Sequence, residues 1–362
     1  MRVSVLFDVI IELIIALISA MILGFGGWFV YSSVMGNPIS IFGHAINLTA
    51  GGLVTFFGYF DTLIWPMIAL GSLVTMRSRA KASMKRVSAF LDADEDVRNP
   101  ENPVVLTDVR GGIEFRHLTF SYPGVDMKIL DDVTLSIKPG ETIGVVGRIG
   151  RGKTTLVTLL TRLYNVPRGT VFIDGVDIMD CEIASVRNAV ALVPQDSFLF
   201  SAPIRDNVGF SRDNPSAESV REAAEFADVA SNIEEFKDGY ETVTGERGVT
   251  LSCGQKQRVS LARAYLKDAP IMILDDSVSA VDLKTEEKIL RNIREKRAGK
   301  TTVVVASRVS TVSHFSRIIV LSDGRVEAFD TPENLLKISP TYRKMVYLQE
   351  LEKEVEGGDT NG

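Results

Sequence analysis

The sequence predicts an α/β domain with a phosphate-binding loop, preceded by two transmembrane α-helices. Three observations carry that prediction. After residue 112, short apolar strand-like runs alternate with helical stretches, the pattern of a sheet flanked by helices. One of these runs leads directly into a glycine-rich stretch, Gly147-Arg148-Ile149-Gly150-Arg151-Gly152-Lys153-Thr154. Finally, no Asp, Glu, Lys or Arg occurs between Glu12 and Asp61, whereas charge is dense from about residue 77 onward.

A chain of 362 residues has room for two or three structural units. With 45 % hydrophobic and 24 % charged residues, most of it can fold as an ordinary globular protein. The net charge of −6 argues against a nucleic-acid partner. The only cysteines, Cys181 and Cys253, lack metal-ligand spacing and imply a reducing compartment without a disulfide framework. Cys181 reads as a buried small hydrophobe.

Leu13 to Ser33 is uncharged and mostly apolar. As a helix it is about 32 Å long, enough for a bilayer core. Leu53 to Met76 is a second such run, interrupted only by Asp61, and Gly36, Asn37 and Pro38 supply turn chemistry between them. The helices are expected over about 5–33 and 53–77, within a partial transmembrane domain of residues 1–90. The first run is too long for a cleaved signal peptide, and a second follows it. Arg77, Arg79, Lys81, Lys85 and Arg86 argue against two buried core helices and put that end in the cytoplasm. Asp61 and Glu12 are ionisable groups of the kind that face a bundle interior or a wet cavity. For Glu12 a position near the membrane surface is equally open.

Acidic residues with Pro100 and Pro103 mark a linker over 91–112. The soluble domain is expected over 113–350, with a strand or hairpin at Ile113–Tyr122 and again at Val133–Ile137, and strands at Thr142–Val146, Ile271–Leu274 and Thr302–Val305. Ser201 to Lys267 reads as a separate helical lobe, and 351–362 as a disordered tail.

The stretch Gly147 to Thr154 matches Gly, four residues, Gly, Lys and Ser/Thr, between a strand and a helix expected to run to about Tyr164. Glycines let successive N–H groups point at phosphates, and the helix end adds positive potential. Lys153 supplies a point charge to β- and γ-phosphates, and the Thr154 hydroxyl can ligate Mg²⁺. Thr155 follows in the same phosphate-binding set. Ile271 to Asp275 is an apolar strand ending in a carboxylate, suited to hold Mg²⁺ from the opposite side. Arg148 and Arg151 either add to phosphate affinity or lie in solvent.

Leu251-Ser252-Cys253-Gly254-Gln255-Lys256-Gln257-Arg258 resembles the signature of ABC-transporter ATPases, usually written LSGGQ. The order of elements from Gly112 to about Leu348 is similar to that family. So are the N-terminal hundred residues, which look like the last two membrane helices of an exporter half-transporter. The resemblance implies an ABC-type ATPase that binds ATP and Mg²⁺. It implies that Tyr122 stacks on adenine and that Gln195 contacts Mg²⁺ and couples to the membrane domain. Ser279 to Asp282 then forms the D-loop, and Thr244 to Gly248 the short segment found ahead of the signature in exporters. Two such domains would sandwich two ATP molecules, with Ser252, Gly254 and Gln255 of one chain completing the site of the other.

Four departures qualify the resemblance. Asp276 stands where the family has a catalytic glutamate, and Ser307 stands at its switch histidine. Both fall on the site that contains Lys153, so the resemblance implies the degenerate site of a heterodimer, one that holds ATP and hydrolyses it poorly. Cys253 replaces a signature glycine. Four of six half-transporter helices are missing, which a fragmentary or split reading frame explains. The expected role is therefore an ATP-driven exporter subunit in the plasma (inner) membrane. It would have a cytoplasmic ATP-binding domain, a second ABC half-transporter as partner, and lipid around its helices. Drug, lipid and peptide substrates all remain open. The alternatives are a homodimer with two slow sites, a non-transporting regulatory module and a non-functional fragment.

Overall fold

The computed structural model describes the chain apart from Met1, Glu246, Arg247, Val249, Thr250, Ala280 and residues 359–362. It divides into two compact units, Met1–Asp94 and Glu95–Gly362.

The first unit is a helical hairpin. Helix α1 (Arg2–Val34) is followed by strands β1 (Ser40–Ile41) and β2 (His44–Ala45), then by α2 (Ala50–Leu91). Both helices are long and apolar enough to cross a membrane. They approach closely at Gly26, where an added Cβ would lie 2.3 Å from Leu53 Cδ1. Ser33 fastens the connection, donating to Ile46 O and accepting from Leu48 N, each at 3.2 Å. Thr49 caps α2 by accepting from Gly52 N at 3.1 Å. At 42 residues, α2 is about 63 Å long, roughly twice a bilayer core. It runs fourteen residues past the expected end at residue 77. Hydropathy marks the edge of the membrane, but Met76 to Leu91 consists largely of strong helix formers with no Pro or Gly, so the helix continues.

The second unit contains β3 (Ile113–Phe120), β4 (Leu130–Ile137), β5 (Thr142–Gly147), α3 (Lys153–Thr158), β6 (Val171–Ile173), β7 (Val176–Asp177), α4 (Ile183–Ala189) and β8 (Val190–Val193). Then come α5 (Ile204–Gly209), α6 (Ala217–Phe226), α7 (Ala230–Glu234), α8 (Cys253–Lys267), β9 (Ile271–Asp275), α9 (Leu283–Lys296) and β10 (Thr301–Val305). The chain closes with α10 (Val309–Val312), β11 (Arg317–Ser322), β12 (Arg325–Asp330), α11 (Pro332–Ile338) and α12 (Pro340–Gly358). A six-stranded sheet has the order β12-β11-β5-β10-β9-β8, parallel except for the edge strand β12. A four-stranded antiparallel sheet has the order β4-β3-β6-β7.

The central strands read as continuous apolar runs because both faces of the large sheet are covered. Along β9, Ile271 and Ile273 enter the core shared with the antiparallel sheet, while Met272 and Leu274 enter the core shared with α5 to α8. That alternation is the two-residue period of a strand. The helical stretch expected over Ser201 to Lys267 is present as α5 to α8, packed against the sheet. Leu199, Ile204, Val208 and Val259 share one core with Val193 and Leu274, because short amphipathic helices need the sheet to bury their apolar faces.

Two further boundaries differ from expectation. Helix α3 stops at Thr158 and tightens into a 3₁₀ turn over Leu159–Thr161, well short of Tyr164. Arg162 then takes a left-handed conformation at φ 51°. Its buried guanidinium donates to Ile178 O at 2.8 Å, Cys181 O at 3.4 Å, Arg98 O at 3.2 Å and Asn165 Oδ1 at 3.3 Å. These tertiary bonds override helix propensity. At the C-terminus, α12 runs to Gly358, into the stretch expected to be disordered. Charged helix formers at 350–356 extend a helix that Tyr342 anchors in the core. Residues 95–112 belong to the second unit and are held within it by Val104 N to Asp180 O at 2.8 Å and Ile183 N to Asn99 Oδ1 at 2.8 Å.

Candidate functional site

The glycine loop connects β5 to α3. Gly147 has φ 157°, and a Cβ there would lie 2.3 Å from Leu321 O, so the strand can leave the sheet only with glycine. Gly152 is the N-cap of α3 at φ 90°, where a Cβ would lie 2.9 Å from Leu130 Cδ2 and 3.0 Å from Ile129 O. Lys153 Nζ donates to Gly147 O at 2.8 Å and Arg148 O at 3.1 Å, which holds the ammonium across the loop. Burial pushes this lysine below its usual range, and Asp276 and Asp275 hold it back up. Arg148, Ile149 and Gly150 are exposed. Arg151 pairs with Asp323 at 2.8 Å, an exposed contact that takes its charge to the β11–β12 turn.

Thr154 and Asp275, 121 residues apart in sequence, meet at the loop. Thr154 Oγ1 donates to Asp275 Oδ1 at 3.1 Å. The Asp275 carboxyl is 2 % exposed. Burial raises its pKa and Asp276 adds to the rise, while Thr154 and Lys153 oppose it. A hydroxyl and a carboxylate side by side are hard oxygen donors of the kind Mg²⁺ takes, with water and phosphate completing its shell. The donor set therefore fits the ion.

Thr155 is buried and turned away from this pair, its hydroxyl 2.8 Å from Tyr122 OH. Tyr122 stands edge-on to Phe120 and Tyr164, with ring centroids at 5.2 and 5.1 Å.

Asp276 ends the β9 edge of the site in a left-handed conformation, φ 49°. Its N–H donates to Val305 O at 3.0 Å. Ser307, just past β10, donates to Asp276 Oδ1 from its hydroxyl at 3.1 Å and from its backbone N–H at 3.4 Å. The structure thus brings together Lys153, Thr154, Asp275, Asp276 and Ser307. Gln195 lies on an exposed loop after β8, and its backbone O accepts from Gln257 Nε2 of α8 at 3.5 Å.

The segment Ser252 to Gln255 starts a different helix, α8. Ser252 and Gln255 form a reciprocal capping box: Gln255 N donates to Ser252 Oγ at 3.2 Å and Ser252 N to Gln255 Oε1 at 2.9 Å. This box satisfies Gln255 N–H and leaves the first-turn N–H groups of Cys253 and Gly254 to partners outside the helix. Cys253 is exposed. Asp282 caps α9 by accepting from Thr285 N at 3.0 Å. Ala280 of the D-loop segment and Glu246 and Arg247 of the segment ahead of α8 lie outside the described residues. Sequence reasoning missed Asp323 as the partner of Arg151, and Gln349, whose amide reaches the start of α10. Neither carries a local motif that could have revealed it.

Comparison with known proteins bears on the fold and the domain. The ABC transporter family model matches residues 130–279. The chain is 34 % identical over 360 residues to the Escherichia coli multidrug resistance-like ATP-binding protein, covering 99 % of this chain and 58 % of that protein. It is 36 % identical over 304 residues to the ATP-dependent lipid A-core flippase of Shigella sonnei, covering 84 % of this chain and 52 % of the flippase. The chain thus spans little more than half the length of these relatives. A solved bacterial Atm1-family ABC exporter with ATP bound superposes with a TM-score of 0.74 at 33 % identity, over 95 % of this chain and 58 % of that one. The chain therefore carries an ABC transporter domain within the fold of an ABC exporter, membrane helices first and ATPase domain second.

Proposed function

We propose that this chain is the ATP-binding portion of an exporter subunit, and that its own nucleotide site binds MgATP more effectively than it cleaves it. The observation that carries the reading is the meeting of Thr154 with the buried Asp275 beside Lys153 at the mouth of the glycine loop. Lys153 and the loop N–H groups would hold the β- and γ-phosphates. Mg²⁺ held between Thr154 and Asp275 would neutralise charge on the phosphate oxygens.

Weak hydrolysis is supported by the Asp276–Ser307 pair. Asp276 is one methylene shorter than glutamate, and Ser307 engages one of its carboxylate oxygens twice. Ser307 fixes the direction of that carboxylate and leaves Oδ2, from a shorter reach, to orient an attacking water. The exposed end of α8 offers its open N–H groups to a second ABC half-transporter, so Ser252, Gly254 and Gln255 would serve the nucleotide held by the partner. Gln195, exposed beside α8, is the candidate link to the membrane helices. The cluster from Arg77 to Arg86 supports a cytoplasmic ATPase domain, and the helices would lie in the plasma (inner) membrane. The names of the relatives, multidrug resistance-like protein and lipid A-core flippase, support export of a small molecule or lipid, and a peptide cargo rests on the family resemblance alone.

The test is nucleotide binding and turnover by the full chain in lipid nanodiscs, alone and co-purified with a second subunit carrying intact glutamate and histidine. Lys153→Ala is expected to remove MgATP binding at this site. Asp276→Asn is expected to leave most turnover of the complex; loss of all turnover would overturn the weak-site reading. Substantial ATPase from the chain alone would favour a homodimer.

A further inference from the structure

Helix α10 begins two residues after Ser307 and is four residues long. A helix that short has hardly any internal hydrogen bonds, so its position depends on what satisfies its first N–H groups. Its N-cap residue, Arg308, offers no side-chain acceptor. The acceptor comes instead from α12, forty residues downstream. Gln349 Oε1 accepts from Val309 N at 3.0 Å and from Ser310 N at 3.2 Å.

Both sides of this contact are anchored. On α12, Tyr342, Val346 and Gln349 fall at i, i+4 and i+7 and so share a face. Tyr342 is 2 % exposed, and Met345 and Val346 pack against the same core. On α10, Val309 and Val312 are buried. Val312 sits so close to β5 that a Cβ at Gly144 would lie 2.6 Å from Val312 Cβ. The segment carrying Ser307 is therefore held from below by the strand that leads to the phosphate loop and from above by one amide of the last helix.

We infer that Gln349 is a positioning residue for the hydrolysis site: it holds the start of α10 and so keeps Ser307 on the Asp276 carboxylate. The inference rests on the ATPase reading proposed above. Displacement of α12 by any neighbour would reach Asp276 by the same route.

The test uses the full chain in nanodiscs with Gln349→Met, which keeps length and helix propensity but removes the acceptor. Gln349→Glu restores an acceptor. Two readouts are needed: hydrogen exchange of residues 306–313, and the part of ATP turnover that Asp276→Asn removes. Gln349→Met is expected to speed exchange of 306–313 while leaving 340–348 unchanged. It should lower kcat on the order of tenfold, short of the ~hundredfold that a 1 Å displacement costs, with KM little changed. Gln349→Glu should restore both, and in a Ser307→Ala background Gln349→Met should lower kcat no further. Unchanged exchange of 306–313, or an equal kcat loss in the Ser307→Ala background, would overturn the inference. If exchange responds as expected but the unmodified chain has no Asp276-dependent turnover, the ATPase reading falls and the mechanical link stands.

Discussion

Replacing Thr154 by valine separates the metal-dependent part of nucleotide binding from the rest. Valine matches threonine in shape but removes the hydroxyl that donates to Asp275 Oδ1 at 3.1 Å. A hydrogen bond to a charged acceptor contributes about 1.5–3 kcal/mol. At about 1.4 kcal/mol per tenfold, Mg²⁺-dependent affinity should fall roughly ten- to a hundredfold. The pH dependence has a definite sign. Burial already raises the Asp275 pKa, and Thr154 is among the groups that lower it. Without that hydroxyl the carboxyl stays protonated to higher pH, so Mg²⁺-dependent binding should set in at higher pH in Thr154→Val. The folded-state pKa lies above the unfolded one, so this carboxyl favours the folded state at low pH, and that contribution is lost as pH rises through the folded value. Titrating a fluorescent ATP analogue onto the full chain, in Mg²⁺ and in EDTA across pH, checks both points. Equal weakening in Mg²⁺ and in EDTA would refute the reasoning, because Lys153 and the loop amides are untouched by the change.

Three further outcomes follow from the packing. Gly144→Ala places a methyl 2.6 Å from Val312 Cβ and 2.9 Å from its Cγ1; overpacking of this kind costs about 1–3 kcal/mol, read as a lowered thermal midpoint of the ATPase domain. Arg162→Leu strips three carbonyls of a donor that is itself buried, and should destabilise the domain by about 3 kcal/mol in denaturant titration. In a thiol titration near pH 8, the exposed Cys253 should react in the folded chain and Cys181 only after unfolding. Burial pushes the Cys181 thiol up to about 11, and Asp177 adds to the shift.

The fold class and the phosphate loop were legible in the sequence because both rest on local signals. The apolar run at β9 and the glycines around Lys153 each declare themselves within a dozen residues, and the charge-free stretch between Glu12 and Asp61 is unbroken along the chain. What stayed hidden depends on contacts between distant residues. Helix α3 stops because Arg162 finds carbonyls on segments 16 to 64 residues away. The run from Ser201 to Lys267 reads as a helical lobe, and only the shared core with β8 and β9 shows how it packs on the sheet. The motifs name Asp276 and Ser307 one at a time; their hydrogen bond joins residues 31 apart. Gln349 continues the face of Tyr342 and Val346, but nothing local in the sequence shows that its amide reaches α10 forty residues earlier.

That bond bears on how far the site can be repaired. Asp276→Glu adds a methylene and moves the carboxylate outward by about 1.5 Å, one carbon–carbon bond along the chain. A carboxylate so displaced cannot keep both Ser307 bonds, the hydroxyl at 3.1 Å and the N–H already at 3.4 Å. The substitution therefore gains reach toward an attacking water and loses the group that fixes its direction. Replacing Ser307 by histidine as well supplies a longer donor for the longer acid, so the two changes should couple rather than add. Turnover of the full chain in nanodiscs is expected to change by less than about threefold in Asp276→Glu. It should rise on the order of tenfold or more in the double variant, with Ser307→His alone giving no gain. If Asp276→Glu alone reaches the rate of the double variant, then side-chain length is the whole deficit and the Ser307 bond is incidental.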